Sequence, residues 1–172
     1  MFHSPYVRKP ASVQRVMGLV LIALLPGIAA YVWQIGAGVL VNLAIATLTA
    51  VAAEALILRL RARPVALAIG DLSAVVTAWL VTLCFPPIVP WWLTVSSVLV
   101  AIVAVKHLYG GLGQNPFNPA MAAYCTMIVA FPALMAQWPA AGQVPFDTQL
   151  DLILGGAREL DGMTGATALD AL

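Results

Sequence analysis

Two acids stand inside otherwise apolar stretches, Glu54 in Ile35–Leu58 and Asp71 in Val65–Phe85. A charge at a bilayer centre costs about 2.5–3.5 kcal/mol even on a lenient scale, so each is a functional candidate by default. Glu54 lies five residues before Arg59 and carries two readings. It either reaches the near interface and pairs there, or it belongs to an ion path. Asp71 follows Gly70 and precedes Leu72-Ser73-Ala74. It is either an N-cap whose carboxylate accepts backbone N–H groups, or part of an ion path or proton relay.

The run Tyr109-Gly-Gly-Leu-Gly-Gln-Asn-Pro-Phe-Asn-Pro-Ala-Met121 cannot continue a helix, given its three glycines and two Asn-Pro steps. Gly110 and Gly111 let a ligand approach the backbone closely, and Asn115 and Asn118 add polar groups. This run either lines a cofactor or ion cavity or is a tight turn. It is not a phosphate loop, because no Lys-Ser/Thr pair follows. The segment Asp161-Gly-Met-Thr-Gly-Ala-Thr167 holds two hydroxyls, Thr164 and Thr167. A threonine is a poor nucleophile without an adjacent base, and no histidine stands nearby. As a modification site it makes sense, since Gly165 and Ala166 leave the Thr167 hydroxyl open. His3 and His107 are too few and too far apart for a metal cluster. Cys84 and Cys125 read as small apolar fillers.

The elements that must position these groups follow from composition. Of 172 residues, 62% are hydrophobic and only 9% charged, against about 45–50% and about 25% in soluble domains. So few charges cannot cover a soluble globule. Disorder requires the opposite balance, and a net charge of +1 leaves no basic footprint for nucleic acid. The expected class is an all-α integral membrane protein. A spanning helix takes about 17–25 apolar residues, and five segments qualify or come close: Val16–Trp33, Ile35–Leu58, Val65–Phe85, Trp91–Val105 and Pro119–Met135. Residues 1–15 form a polar cytoplasmic lead, 16–136 the transmembrane domain, and 137–172 a periplasmic segment. No small-residue cleavage site follows the first apolar run, which is therefore expected to stay as an anchor.

Seven of the eight basic residues (Arg8, Lys9, Arg15, Arg59, Arg61, Arg63 and Lys106) fall on one side of such a five-span chain. The positive-inside rule makes that side cytoplasmic. Five of the seven acids (Asp147, Asp151, Glu159, Asp161 and Asp170) fall on the other. Trp33, Trp91, Trp92 and Trp138 lie at the outer ends of spans, where amphipathic rings sit at headgroup depth.

Several of these motifs, taken together, resemble one family. They are His3-Ser-Pro5, Ser12-Val-Gln-Arg-Val-Met17, Glu54 with Arg59-Leu-Arg61, Asp71-Leu-Ser-Ala74, Pro86-Pro87 with Pro90-Trp-Trp92, Tyr109–Met121 and Asp161–Thr167. The chain is similar to the RnfD and NqrB family of membrane proteins, which serve the Rnf ion-translocating electron-transport complex and the sodium-pumping NADH:quinone oxidoreductase. The quinone-reductase members begin with a longer N-terminal extension and are the poorer match.

The resemblance implies FMN attached to Thr167 through a phosphoester, set there by a flavin transferase that reads Asp161, Gly162, Thr164, Gly165 and Ala166. It implies electron flow between ferredoxin and NAD through the other membrane and peripheral subunits, coupled to Na+ or H+ movement across the bacterial inner membrane. It allows a second, non-covalent flavin that no motif locates. Family members run to about twice this length, as two inverted halves resembling a urea-transporter fold. The 172 residues are then expected to be the first half of about ten helices. Rival readings are a non-redox channel of that fold, for which the Thr167 motif has no purpose, and a scaffold that only holds redox partners.

Overall fold

The computed structural model describes residues 12–65, 69–111, 113–139 and 144–155. Every regular element among them is a helix. Helix α1 covers Val13–Gln34 and opens on Ser12, whose hydroxyl accepts the Arg15 N–H at 3.3 Å. A turn through Gly36 leads to α2, Gly38–Leu60. These two helices are long and apolar enough to cross a membrane, and three other apolar helices are shorter.

The shorter ones depart from the expected spans for identifiable reasons. The segment expected at Val65–Phe85 becomes regular only at Ser73, where α3 begins and runs to Leu83. Leu72 just before it has φ +61°, a left-handed conformation that breaks the helix. Asp71 therefore sits at a break and not within a span. The cap is displaced too: Leu72 holds the N-cap position, while Asp71 one residue earlier accepts the Ser73 N–H at 2.7 Å. Helix α4, Trp91–Leu99, passes into a wide π-helical stretch, Val100–His107. The segment expected at Pro119–Met135 is two helices, α5 (Pro119–Ala130) and α6 (Pro132–Met135), because Pro132 has no N–H to continue the ladder. Helix α7 covers Phe146–Leu154.

Helix α2 is the hub, packed on α3, α4 and the π-helical stretch. Its buried face carries Ala46, Ala50 and Ala53 at helical spacing, and such small side chains let helix backbones approach closely. They meet Ala74 and Ala78 of α3 and Leu93, Val98, Ala101 and Ile102 of the α4 segment in one core. Helix α1 lies at the margin with Ile28 as its one buried residue. The expected interfacial tryptophans are all exposed, Trp33 most of all at 85%.

Polar contacts at one end of the bundle hold the apolar loop between α3 and α4. Residues 85–90 are buried, so their carbonyls need donors inside the protein. Asn42 Nδ2 donates to Pro87 O at 3.0 Å, and the Tyr31 hydroxyl donates to Phe85 O at 3.3 Å. Thr94 in turn donates to Asn42 Oδ1 at 2.9 Å. At this same end Gln149 of α7 clasps the α1–α2 turn. Its Oε1 accepts the Gly38 N–H at 2.8 Å, and its Nε2 donates to Ile35 O and Val144 O. A Cβ at Gly36 or Gly38 would collide with the Gln149 side chain, and Gly36 also has φ +126°. That turn requires glycine.

Candidate functional site

At the opposite end, α2 finishes, α3 begins and the α4 segment finishes side by side. This juxtaposition brings together residues far apart in sequence. Lys106 Nζ donates to both oxygens of Glu54, at 2.7 and 2.9 Å, and to Ser73 Oγ at 2.7 Å. Ser73 Oγ passes the chain on, donating to Asp71 Oδ1 at 2.6 Å. Glu54 is 2% and Lys106 3% exposed; Asp71 is half-buried. His107 Nε2 lies 3.8 Å from Glu54 Oε1 and is buried without a hydrogen-bond partner among the described residues. Arg61 Nη2 donates to His107 O at 2.9 Å, closing the helix end from the side of α2.

Glu54 thus does not pair at the interface with the arginines that follow it. It points into the bundle, because position 54 continues the buried stripe of Ala46, Ala50 and Ala53. Its partner is Lys106, which composition places in a loop between two spans and which instead lies in the last helical turn, inside the protein. A lone lysine ending the apolar run of residues 100–105 was the one signal in the sequence. His107 was legible only as a histidine with no metal partners. Among the described residues no group of three or more His, Cys, Asp or Glu is placed to hold a metal.

The Gly-rich run adjoins this cluster through its first two glycines. Gly110 and Gly111 have φ +109° and +106°, and their N–H groups donate to His107 O and Lys106 O at 3.2 and 2.9 Å. Asn115 and Asn118 take no part in the charge cluster. Asn115 Nδ2 donates to Phe117 O at 2.9 Å. Asn118 caps α5, accepting the Ala120 N–H at 3.0 Å. It also lines an apolar groove of about 390 Å³ with Phe117, Met121, Ala122 and Cys125. Cys125 is exposed there and Cys84 is half-buried. Asp161, Gly162, Thr164, Gly165, Ala166 and Thr167 lie outside the described residues.

An ammonium and two carboxylates linked among apolar helix ends, with two helices long enough to span, define a membrane protein with an internal charge site. The chain belongs to the NQR2, RnfD, RnfE family, whose family model matches residues 1–172. Its relatives are RnfD-type proteins of the ion-translocating oxidoreductase complex. It is 51% identical to the one from Ectopseudomonas mendocina, over 98% of this chain and 49% of that protein. The counterpart from Pseudomonas paraeruginosa is 47% identical, with 98% of this chain and 49% of that protein covered. The one from Vibrio cholerae is 43% identical, over 98% and 53%. The chain therefore spans about half the length of the curated relatives it matches.

Proposed function

We propose that this chain is the flavin-bearing part of a membrane subunit in a redox-driven ion pump of the Rnf type. The observation that carries this is the family match over every residue, together with relatives named as parts of an ion-translocating oxidoreductase complex. Electrons would pass between ferredoxin and NAD through partner subunits, with Na+ or H+ moved across the bacterial inner membrane. The chain is not catalytic alone.

FMN is proposed on Thr167. The chemistry of the segment fits the group: a hydroxyl that can form a phosphoester, beside two residues too small to screen it, within reach of a flavin transferase that would read Asp161 through Ala166. When bound, the flavin supplies a redox centre fixed in place. What the chain itself contributes is position. Asp147 and Asp151 of α7 lie beside Gln149, which fastens that helix to the end of the bundle remote from Lys106 and Arg61. This supports a cytoplasmic basic end and a periplasmic Thr167.

Five crossings are proposed on the same footing, with α3, the α4 segment and α5 completing the bundle as the first half of a larger inverted-repeat fold like that of urea transporters. Glu54 and Asp71 are proposed for the ion path. Gly110, Gly111, Asn115 and Asn118 are proposed for the wall of an ion or cofactor cavity, where a second, non-covalent flavin would also find room. The test is flavin fluorescence of the denatured subunit in a gel, which Thr167→Ala is expected to abolish. Fluorescence surviving in that variant would overturn the assignment. Normal electron flow without flavin would make the chain a scaffold.

A further inference from the structure

The charge cluster does not balance. Glu54 and Asp71 supply two carboxylates and Lys106 one ammonium, joined through Ser73 in a single hydrogen-bonded chain. One negative charge is left over at a site whose central members are buried. Beside it stands a second irregularity, the His107 Nε2 that is buried, 3.8 Å from Glu54 Oε1 and without a hydrogen-bond partner among the described residues. That separation is too long for a hydrogen bond. It is short enough for both atoms to contact one small cation at about 2.0–2.6 Å, the range hard cations take with oxygen ligands.

We propose that Lys106 is a tethered stand-in for the transported monocation. In the arrangement seen here its ammonium occupies the Glu54 carboxylate. In the alternative arrangement it withdraws toward Ser73 and Asp71, and a free monovalent cation takes its place between Glu54 Oε1 and His107 Nε2. No covalent bond changes; one positive charge replaces another at the same carboxylate. This rests on the ion-pump reading above and assigns the exchange site within it.

The local backbone supplies the movement. Lys106 and His107 close a π-helical stretch in which Leu108 N–H donates to Val103 O, and Gly111 N–H to Lys106 O, five residues back. Such wide turns occur mostly as short insertions in α-helices and often at functional sites. Re-forming the four-residue spacing rotates Lys106 about the helix axis and off Glu54. Gly110 and Gly111, both at positive φ, can absorb the change where a side chain could not. Arg61, bonded to His107 O, and Arg63 stand beside the same helix end and favour return of the cluster to its paired state.

The test uses the whole complex in inverted membrane vesicles and reads ions moved per electron passed. Two variants are compared with wild type, the neutral pair Glu54→Gln with Lys106→Met, and Lys106→Arg. A merely structural ion pair is replaced by a neutral pair at little cost, so the double variant would then keep the wild-type ratio, and that result overturns the proposal. The exchange role expects the ratio to be lost in the double variant. It is also lost in Lys106→Arg, whose planar fork holds the carboxylate more firmly than an ammonium does. Should the double variant fail to assemble, Lys106→Arg decides alone, because it keeps the ion pair; an unchanged ratio there overturns the proposal. Varying Na+ at fixed pH, with and without a protonophore, tells whether the exchanged ion is Na+ or H+. Wild-type vesicles that move no ion with electron flow would overturn the pump reading itself.

Discussion

Lys106 and Glu54 hold each other inside the protein, and among the described residues neither has a substitute partner of opposite charge at hydrogen-bond distance. Removing one leaves the other charged and buried, which costs about 3–5 kcal/mol. Lys106→Ala and Glu54→Ala are each expected to lower the Tm of the detergent-solubilised subunit sharply, and the neutral pair Glu54→Gln with Lys106→Met to recover most of that loss. A double variant as unstable as the single ones would contradict the pairing. Glu54 and Asp71 were legible as exceptional residues because a charge stands out in an apolar run. Their common partner was not, because Lys106 sits at a boundary where sequence alone reads a loop. The contact joins residues 52 positions apart, and no local pattern encodes it.

Gln149 does for α7 what Lys106 does for the helix ends: one polar side chain fixes an element that has little apolar surface with which to pack. It satisfies the Gly38 N–H and two carbonyls, and leaving such a buried donor unpaired costs about 1–3 kcal/mol. Gln149→Ala is expected to free α7 from the bundle, seen as faster proteolysis after Arg158 with the rest of the chain intact. Unchanged proteolysis would mean that α7 is held by other contacts. Gly36→Ala is expected to have the same effect through the collision it forces. Helices α1 and α2 were legible from length and hydropathy alone. The break before α3 was not, because a left-handed Leu72 has no sequence signature comparable to glycine. The split at Pro132 was, since a proline in a helical pattern marks the residue before it as a boundary.

The whole molecule sorts its charges by end. Arg61 and Lys106 lie at one, Asp147 and Asp151 beside the Gln149 clasp at the other, and the helices alternate in direction between them. Single cysteines placed at Arg61 and at Asp147, in a background without Cys84 and Cys125, are expected to react with a membrane-impermeant maleimide from opposite sides of the membrane. Labelling from the same side would remove the five-crossing topology. The sidedness was legible in the sequence because charge placement is a one-dimensional record of topology. The central claim is chemical, however, and concerns Thr167. Its most direct measurement is the mass of the tryptic peptide containing Thr167, taken from the subunit purified from its native membrane. A peptide heavier by one FMN, with the added mass on Thr167 and absent from Thr167→Ala, is the result expected; an unmodified Thr167 in a subunit that still passes electrons would contradict it.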